Sequence, residues 1–248
     1  MSRLIIVHSG LTSARNRIKF EPMNPNPPVT NNRISSSSNL VGVILAGGTG
    51  SRLSPCSDVT NKHLLPVYNK PLIFYPLTNL ILLGIREVLV ISTGEALPSI
   101  GSLLGDGSEF GIRIEYLVQD APTGIGDAPN LYSDWARGAS VCLVLGDNLF
   151  IGSGLMKSLR GARDRFLEKG GAYCFLQEVA DPQRYGVATI AQDGTLDAIE
   201  EKPKQPKSNL AISGMYFLDP SASRKSKNMT RSKRGEFEIV DLLESYLS

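Results

Sequence analysis

The apolar positions fall into short runs separated by glycine, proline and charged residues. Three of these runs, "LVGVILA" from Leu40, "EVLVIST" from Glu87 and "SVCLVLGDN" from Ser140, are apolar nearly throughout. That is the pattern of strands covered on both faces. Between them, "PLIFYPLTNLILLG" predicts an apolar-faced helix with Pro71 at its start and Gly84 just past its end. "ALPSIGSLLGDG" predicts a second helix closed by glycine, "IRIEYLVQ" has the alternation of a strand, and a basic helix is expected from about Gly154 to Glu168. Strands alternating with helices imply βαβ units and a mostly parallel sheet. After Gly170 the texture changes. "AYCFLQEV", "YGVATIA", "TLDAIEEK" and "LAISGMYFL" are strand-like with few helices between them, and "QDGT" at 192–195 is a hairpin-turn signal. A last helix is expected over about Glu236 to Leu247. The pattern as a whole predicts an α/β fold: a Rossmann-like, mostly parallel mixed sheet flanked by helices, with added antiparallel strands in the second half.

Composition narrows the function classes. The chain has 248 residues, 42% hydrophobic and 20% charged, with a net charge of +2. That charge is too small to argue for nucleic acid or a membrane surface. No apolar run approaches the roughly 20 residues of a membrane span. Cys56, Cys142 and Cys174 are odd in number and contain no CxxC pair, so a reducing, cytoplasmic setting is expected, with Cys142 and Cys174 as small core residues. Two histidines exclude a His-rich metal site. Residues 1–39 read differently from the rest: four basic residues and no acid in the first twenty, then a Pro-, Asn- and Ser-rich stretch at 22–39. They are expected to be a disordered or targeting-like tail, with one domain from 40 to 248.

Candidate chemistry starts at "LAGGTGSRLSP", residues 45–55, which follows the first buried run. A parallel strand delivers its next loop to the carboxyl edge of the sheet, where α/β folds bind ligands. Gly47, Gly48 and Gly50 would let main-chain amides approach an anionic oxygen, and Arg52 adds a planar cation suited to phosphate. Leu45 and Ser51 belong to the same stretch. The dinucleotide fingerprint fails because Leu53 stands where its third glycine should be, and no Walker loop is present. This disfavours a dinucleotide-dependent oxidoreductase. Lys62, ten residues past Arg52, would serve as a second cation for a triphosphate, although a lone lysine is more often a solvated surface group.

In order and at consistent spacing, "LAGGTGSRLSP", "KHLLPVYNKPLIFYPL", "GIREVLVIS", "LLGDGSEFGIRIEY", "LVLGDN", "RYGVA" and "EEKP" resemble the sugar-1-phosphate nucleotidylyltransferases. Among these they are nearest to members that transfer a thymidylyl group to glucose 1-phosphate. The resemblance runs from about Leu40 to the end of the chain. It implies the nucleotide-diphospho-sugar transferase fold and the attack of a sugar-phosphate oxygen on the α-phosphorus of dTTP or UTP, with release of pyrophosphate. By the same resemblance, Arg52 and Lys62 match triphosphate-contacting catalytic cations, and Leu45, Gly47, Gly48, Gly50 and Ser51 match the nucleotide cradle. Asp147 matches a Mg²⁺ ligand, Gln119 a reader of the pyrimidine edge, and Gly124 a glycine beside the base. Tyr185, Gly186, Glu201, Lys202 and Ile212 match sugar-phosphate contacts, although Ile212 reads almost as well as plain core. A homo-oligomer is left open.

Two departures from the family pattern stand out. "PTGIGDAPN" replaces P-x-G-L-A-x-A, which predicts a weakened helix start and an added anion, Asp127, beside the nucleotide. The resemblance also lacks a W-x-D-T-G-like segment carrying a second metal ligand, so the domain is expected to be shortened at its carboxyl end. Two readings therefore follow: a nucleotidyltransferase, or a catalytically impaired nucleotide- or nucleotide-sugar-binding remnant of that family.

Overall fold

The computed structural model describes residues 4–8, 40–48, 50, 53–190 and 196–247. The elements in chain order are β1 (Leu4–His8), β2 (Leu40–Leu45), α1 (Cys56–Val59), β3 (Pro66–Val67), β4 (Lys70–Pro71), α2 (Phe74–Leu82), β5 (Glu87–Ser92), α3 (Leu97–Leu104), β6 (Arg113–Val118), α4 (Ala128–Ala136), β7 (Ser140–Leu145), α5 (Leu155–Lys169), β8 (Ala172–Glu178), β9 (Gly186–Ile190), β10 (Leu196–Glu201), β11 (Leu210–Leu218), α6 (Ser221–Lys227) and α7 (Ile239–Glu244). The main sheet runs β6-β5-β2-β7-β11-β8-β1, with β9 on β11 and β10 on β9. β2, β5, β6 and β7 are parallel, and β11 is antiparallel to β7, β8 and β9. This is the mixed α/β sheet expected from the alternation of runs.

Burial on both faces explains why β2, β5 and β7 carry so few polar residues. Successive side chains of a strand point to opposite faces. Val43 and Leu89 pack with Tyr132, Ala136 and Leu243, from α4 and α7. Ile44 and Val88 pack on the other face with Leu77, Ile100 and Phe166, from α2, α3 and α5. Cys142 and Cys174 are buried free thiols, and burial pushes both thiol pKa values well up.

Several boundaries differ from expectation. The helix expected from Pro71 begins at Phe74, because Leu72 and Ile73 donate their N–H groups to Leu65 and His63, and Lys70–Pro71 pairs with Pro66–Val67. The helix start thought weak at 124–130 forms α4, with Pro129 in the first turn, where its missing N–H costs nothing. The last helix starts at Ile239, because Glu238 ahead of it is extended and the Phe237 N–H is committed to the Thr123 carbonyl at 2.8 Å. α6 adds a helix that the strand-rich reading did not contain. Leu4–His8, expected to belong to a tail, lie parallel to β8 as an edge strand. The remainder of 1–39 and the 192–195 turn fall outside the described residues. The flanking strands β9 and β10 do pair antiparallel, as a hairpin requires. Among the described residues no helix is long and apolar enough to cross a membrane.

Candidate active site

Gly47, Gly48, Gln119 and Asp147 follow the carboxyl ends of β2, β6 and β7, the edge at which open parallel sheets bind ligands. Leu45 and Leu145 are register partners on β2 and β7, and Gly146 N–H bonds the Leu45 carbonyl at 3.0 Å. Asp147 therefore leaves β7 beside the glycine turn that leaves β2. Gln119 follows β6, its N–H on the Ser92 carbonyl at 2.7 Å, while Ser92 Oγ donates to the Ala46 carbonyl at 2.6 Å. One turn of 3₁₀ helix, Lys62–Leu64, lays Lys62 across this edge. A Cβ on Gly50 would lie 3.1 Å from Lys62 Cβ, and one on Gly48 would lie 3.6 Å from Lys62 Nζ. Both glycines have positive φ, so they provide the turn as well as the room. Lys62 Nζ ends 2.6 Å from Asp147 Oδ2. The ammonium, the carboxylate and the bare turn converge across 85 residues of sequence.

Two adjoining cavities share Ile125, Leu145, Asp147 and Glu236 in their walls. The smaller, about 260 Å³, is lined by Leu45, Gly47, Gly48, Lys62, Gln119 and Gly124. The larger, about 510 Å³, is lined by Tyr185, Gly186, Glu201, Lys202 and Ile212. Gly50 lies behind Lys62 and outside both linings. Ser51 and Arg52 lie outside the described residues. Ile212 is buried as well as lining, so its two readings coincide. A Cβ at Gly186 would be 2.9 Å from Val240 Cγ2 and 3.3 Å from Glu201 Oε2. Lys202 adopts φ +45, uncommon for a side-chain-bearing residue, with its N–H on the Tyr185 carbonyl at 2.9 Å.

The sequence reading did not single out Arg234, Glu236 and Glu238 in these walls. The guanidinium of Arg234 reaches Glu238 at 2.8 Å, Glu236 at 3.1 Å and Glu201 at 3.4 Å, and Lys202 Nζ lies 3.3 Å from Glu201. Burial raises the Glu201 carboxyl above its ordinary range, and Glu238 adds to this while Lys202 and Arg234 oppose it. The run "KRGEFE" held the signal, but only as charges of undetermined direction.

His63 was also passed over. It is buried, its Nδ1–H donates to Asn61 Oδ1 at 2.7 Å, and its Nε2 has no partner. A Cβ on Gly146 would lie 2.8 Å from its ring, so it supports the Asp147 loop from beneath. Burial first, and the Lys62 charge second, lower its pKa to about 4, against an opposing pull from Asp147. An unfolded histidine titrates near 6.5, so the unfolded chain takes up the proton first. Stability attributable to His63 is therefore complete above about pH 6.5 and lost as pH falls toward 4, on the order of 3 kcal/mol across that window. The raised carboxyls of Glu201, Asp241 and Glu244 act in the opposite sense. They remain in His63→Gln, whose urea midpoint is expected to fall less than the wild-type midpoint between pH 6.5 and 4.5. Equal slopes would reject the assignment.

Residues 41–248 match a family model described as nucleotidyl transferase. A glucose-1-phosphate thymidylyltransferase of Xanthomonas campestris pv. campestris (strain B100) is 48% identical over 206 residues, covering 83% of this chain and 69% of that protein. One from Mycolicibacterium smegmatis is 44% identical over 207 residues, covering 84% of this chain and 70% of that protein. Among solved structures, a Bacillus anthracis protein assigned as a glucose-1-phosphate thymidylyltransferase, in complex with a sucrose, superposes with a TM-score of 0.77. It is 41% identical and the match covers 84% of this chain and 82% of that one. A UDP-glucose pyrophosphorylase complexed with UDP-glucose superposes at 0.73 with 22% identity over 84% of this chain and 86% of that one, a likeness of fold alone.

Proposed function

The chain belongs to the nucleotidyl transferase family, and from that premise we propose that it transfers dTMP from dTTP to glucose 1-phosphate, giving dTDP-glucose and pyrophosphate. The observation that carries this reading is the shared wall at Asp147. A cavity with a base-reading amide and a cavity with a Glu-Lys pair meet there, beside Lys62. In the smaller cavity the nucleotide places its base at Gln119 and Gly124 and its phosphates along Gly47, Gly48 and Lys62. Arg52 is assigned to the same triphosphate on the family motif. In the larger cavity Glu201 accepts sugar hydroxyls, Lys202 holds the sugar phosphate, and Tyr185, Gly186 and Ile212 shape the floor. The attacking phosphate oxygen forms a bond to the α-phosphorus in line with the departing pyrophosphate oxygen. Charge grows on the α-phosphoryl and leaving oxygens, and Lys62 stabilises it. UTP is the competing nucleotide.

Magnesium fits this site as an ion held jointly with substrate. Asp147 presents a hard carboxylate oxygen to both cavities. Among the described residues no group of three or more acids, histidines or cysteines could hold a metal unaided. One carboxylate plus phosphate oxygens is an ordinary magnesium set. When bound, the ion would neutralise phosphate charge that Lys62 alone leaves uncompensated. The free buried thiols fit a reducing compartment.

The noncatalytic reading is not favoured, since relatives 43–48% identical carry the name of the enzyme. Pyrophosphate release with glucose 1-phosphate, dTTP and Mg²⁺ tests the choice. Steady turnover is expected; calorimetric dTTP binding without turnover would transfer the assignment to the binding remnant.

A further inference from the structure

The base-reading amide is not free to turn, because a hydrogen-bond relay running from Gln119 through Thr123 to Asp127 holds it. Gln119 Nε2 donates to Thr123 Oγ1 at 3.2 Å. Thr123 Oγ1 in turn donates to Asp127 Oδ2 at 2.6 Å. Asn130 Nδ2 donates to the other carboxylate oxygen, Oδ1, at 2.8 Å. Asp127 is thus bonded on both oxygens at the start of α4, where the helix dipole also favours an anion.

A hydroxyl has one proton, and a carboxylate has only lone pairs. With the Thr123 proton committed to Asp127, its oxygen can only accept from Gln119. The NH₂ end of the amide must therefore face Thr123. The carbonyl end, Oε1, lies against Gly47, 3.2 Å from where a Cβ there would stand, at the edge of the smaller cavity. Turning the amide over would set its oxygen against the Thr123 lone pairs, leaving two acceptors facing each other at a buried position.

We propose that Thr123, backed by Asp127, is a positioning residue that holds Gln119 in the orientation reading an N3–H pyrimidine and thereby excludes cytosine. Thymine and uracil offer a donor at N3 and an acceptor at O4. They match an amide whose oxygen meets N3 and whose second N–H meets O4. Cytosine reverses both groups, with an acceptor at N3 and a donor at N4, and would need the turned amide. The relay makes that turn costly, so the discrimination is built into the protein before nucleotide arrives. The inference rests on the reading of the smaller cavity as the nucleotide site. It deepens that reading by naming the residues that fix the amide's orientation.

The test compares dTTP and dCTP, by calorimetric binding and by kcat/KM with glucose 1-phosphate, in wild type, Thr123→Val and Thr123→Ser. Valine keeps the shape and removes both hydrogen bonds, whereas serine keeps the hydroxyl. The dTTP:dCTP preference is expected to fall about tenfold or more in Thr123→Val, carried by KM and binding, and to stay near wild type in Thr123→Ser. An unchanged ratio in Thr123→Val, or an equal loss in Thr123→Ser, overturns the proposal. So does a wild type that binds both pyrimidines equally or neither. Binding of dTTP over dCTP without turnover would refute the transferase reading while the binding ratios still decide this one. Far-ultraviolet circular dichroism and melting confirm that each variant is folded.

Discussion

Asp147→Asn is expected to lower pyrophosphate release by on the order of 10³-fold while leaving the fold intact. Asparagine keeps the shape of the side chain but replaces an anionic carboxylate with a neutral amide, a much poorer partner for an ion shared with the phosphates. The ion pair lost with Lys62 is partly exposed, with side chains 15% and 35% accessible, so its stabilising contribution is below about 1 kcal/mol. A stability cost larger than that would point to a structural role. The same change frees Lys62 Nζ from its 2.6 Å partner and removes an anion from the phosphate path. Binding of dTTP measured in EDTA is therefore expected to be no weaker than wild type, and Lys62→Met to weaken it. Loss of turnover with retained metal-free binding separates chemistry from nucleotide capture. Turnover within tenfold of wild type would remove Asp147 from the mechanism.

Gly124→Ala is expected to destabilise the protein by about 3 kcal/mol or more and to weaken both substrates together. Gly124 has φ +102, where a side chain is strained. An added Cβ would also lie 2.4 Å from the Phe237 carbonyl oxygen and 2.7 Å from its nitrogen, main-chain atoms that cannot swing aside. Those atoms form a clasp: Phe237 N–H bonds the Thr123 carbonyl at 2.8 Å and Gly126 N–H bonds the Phe237 carbonyl at 2.9 Å. Opening it releases the segment that puts Arg234, Glu236 and Glu238 into the cavity walls. Gly138→Ala is the matched control, since Gly138 has φ +79 but nothing within 4 Å of an added Cβ. Denaturant melts should show Gly124→Ala worse than Gly138→Ala by at least about 2 kcal/mol. Equal losses would mean that strain alone, and not the clasp, accounts for the glycine.

The order of strands and helices was legible in the sequence because burial imposes a local periodicity. β2, β5 and β7 announce themselves by being covered on both faces, and α3 by the glycine that ends it. The glycine turn, Lys62, Gln119 and Asp147 were legible too, each at the end of a strand or in a motif of fixed spacing. Their meeting followed only from the family resemblance, not from any local pattern. Lys62 and Asp147 are 85 residues apart, and the pairing of β2 with β7 brings them to 2.6 Å. Arg234, Glu236 and Glu238 read as surface charges until Phe237 is seen clasped to residues 123–126. Asp127 looked like a free anion beside the nucleotide until both its oxygens were found bonded. His63 carried no sign of burial because its ring packs against Gly146, which follows a distant strand. The sequence by itself determined which segments become strands and helices and which residue types stand at their ends, since both follow from neighbours a few positions away. Only the tertiary structure decided which of those ends face one another and which charges are already partnered, because contacts between distant segments depend on sheet order and packing that no local pattern encodes.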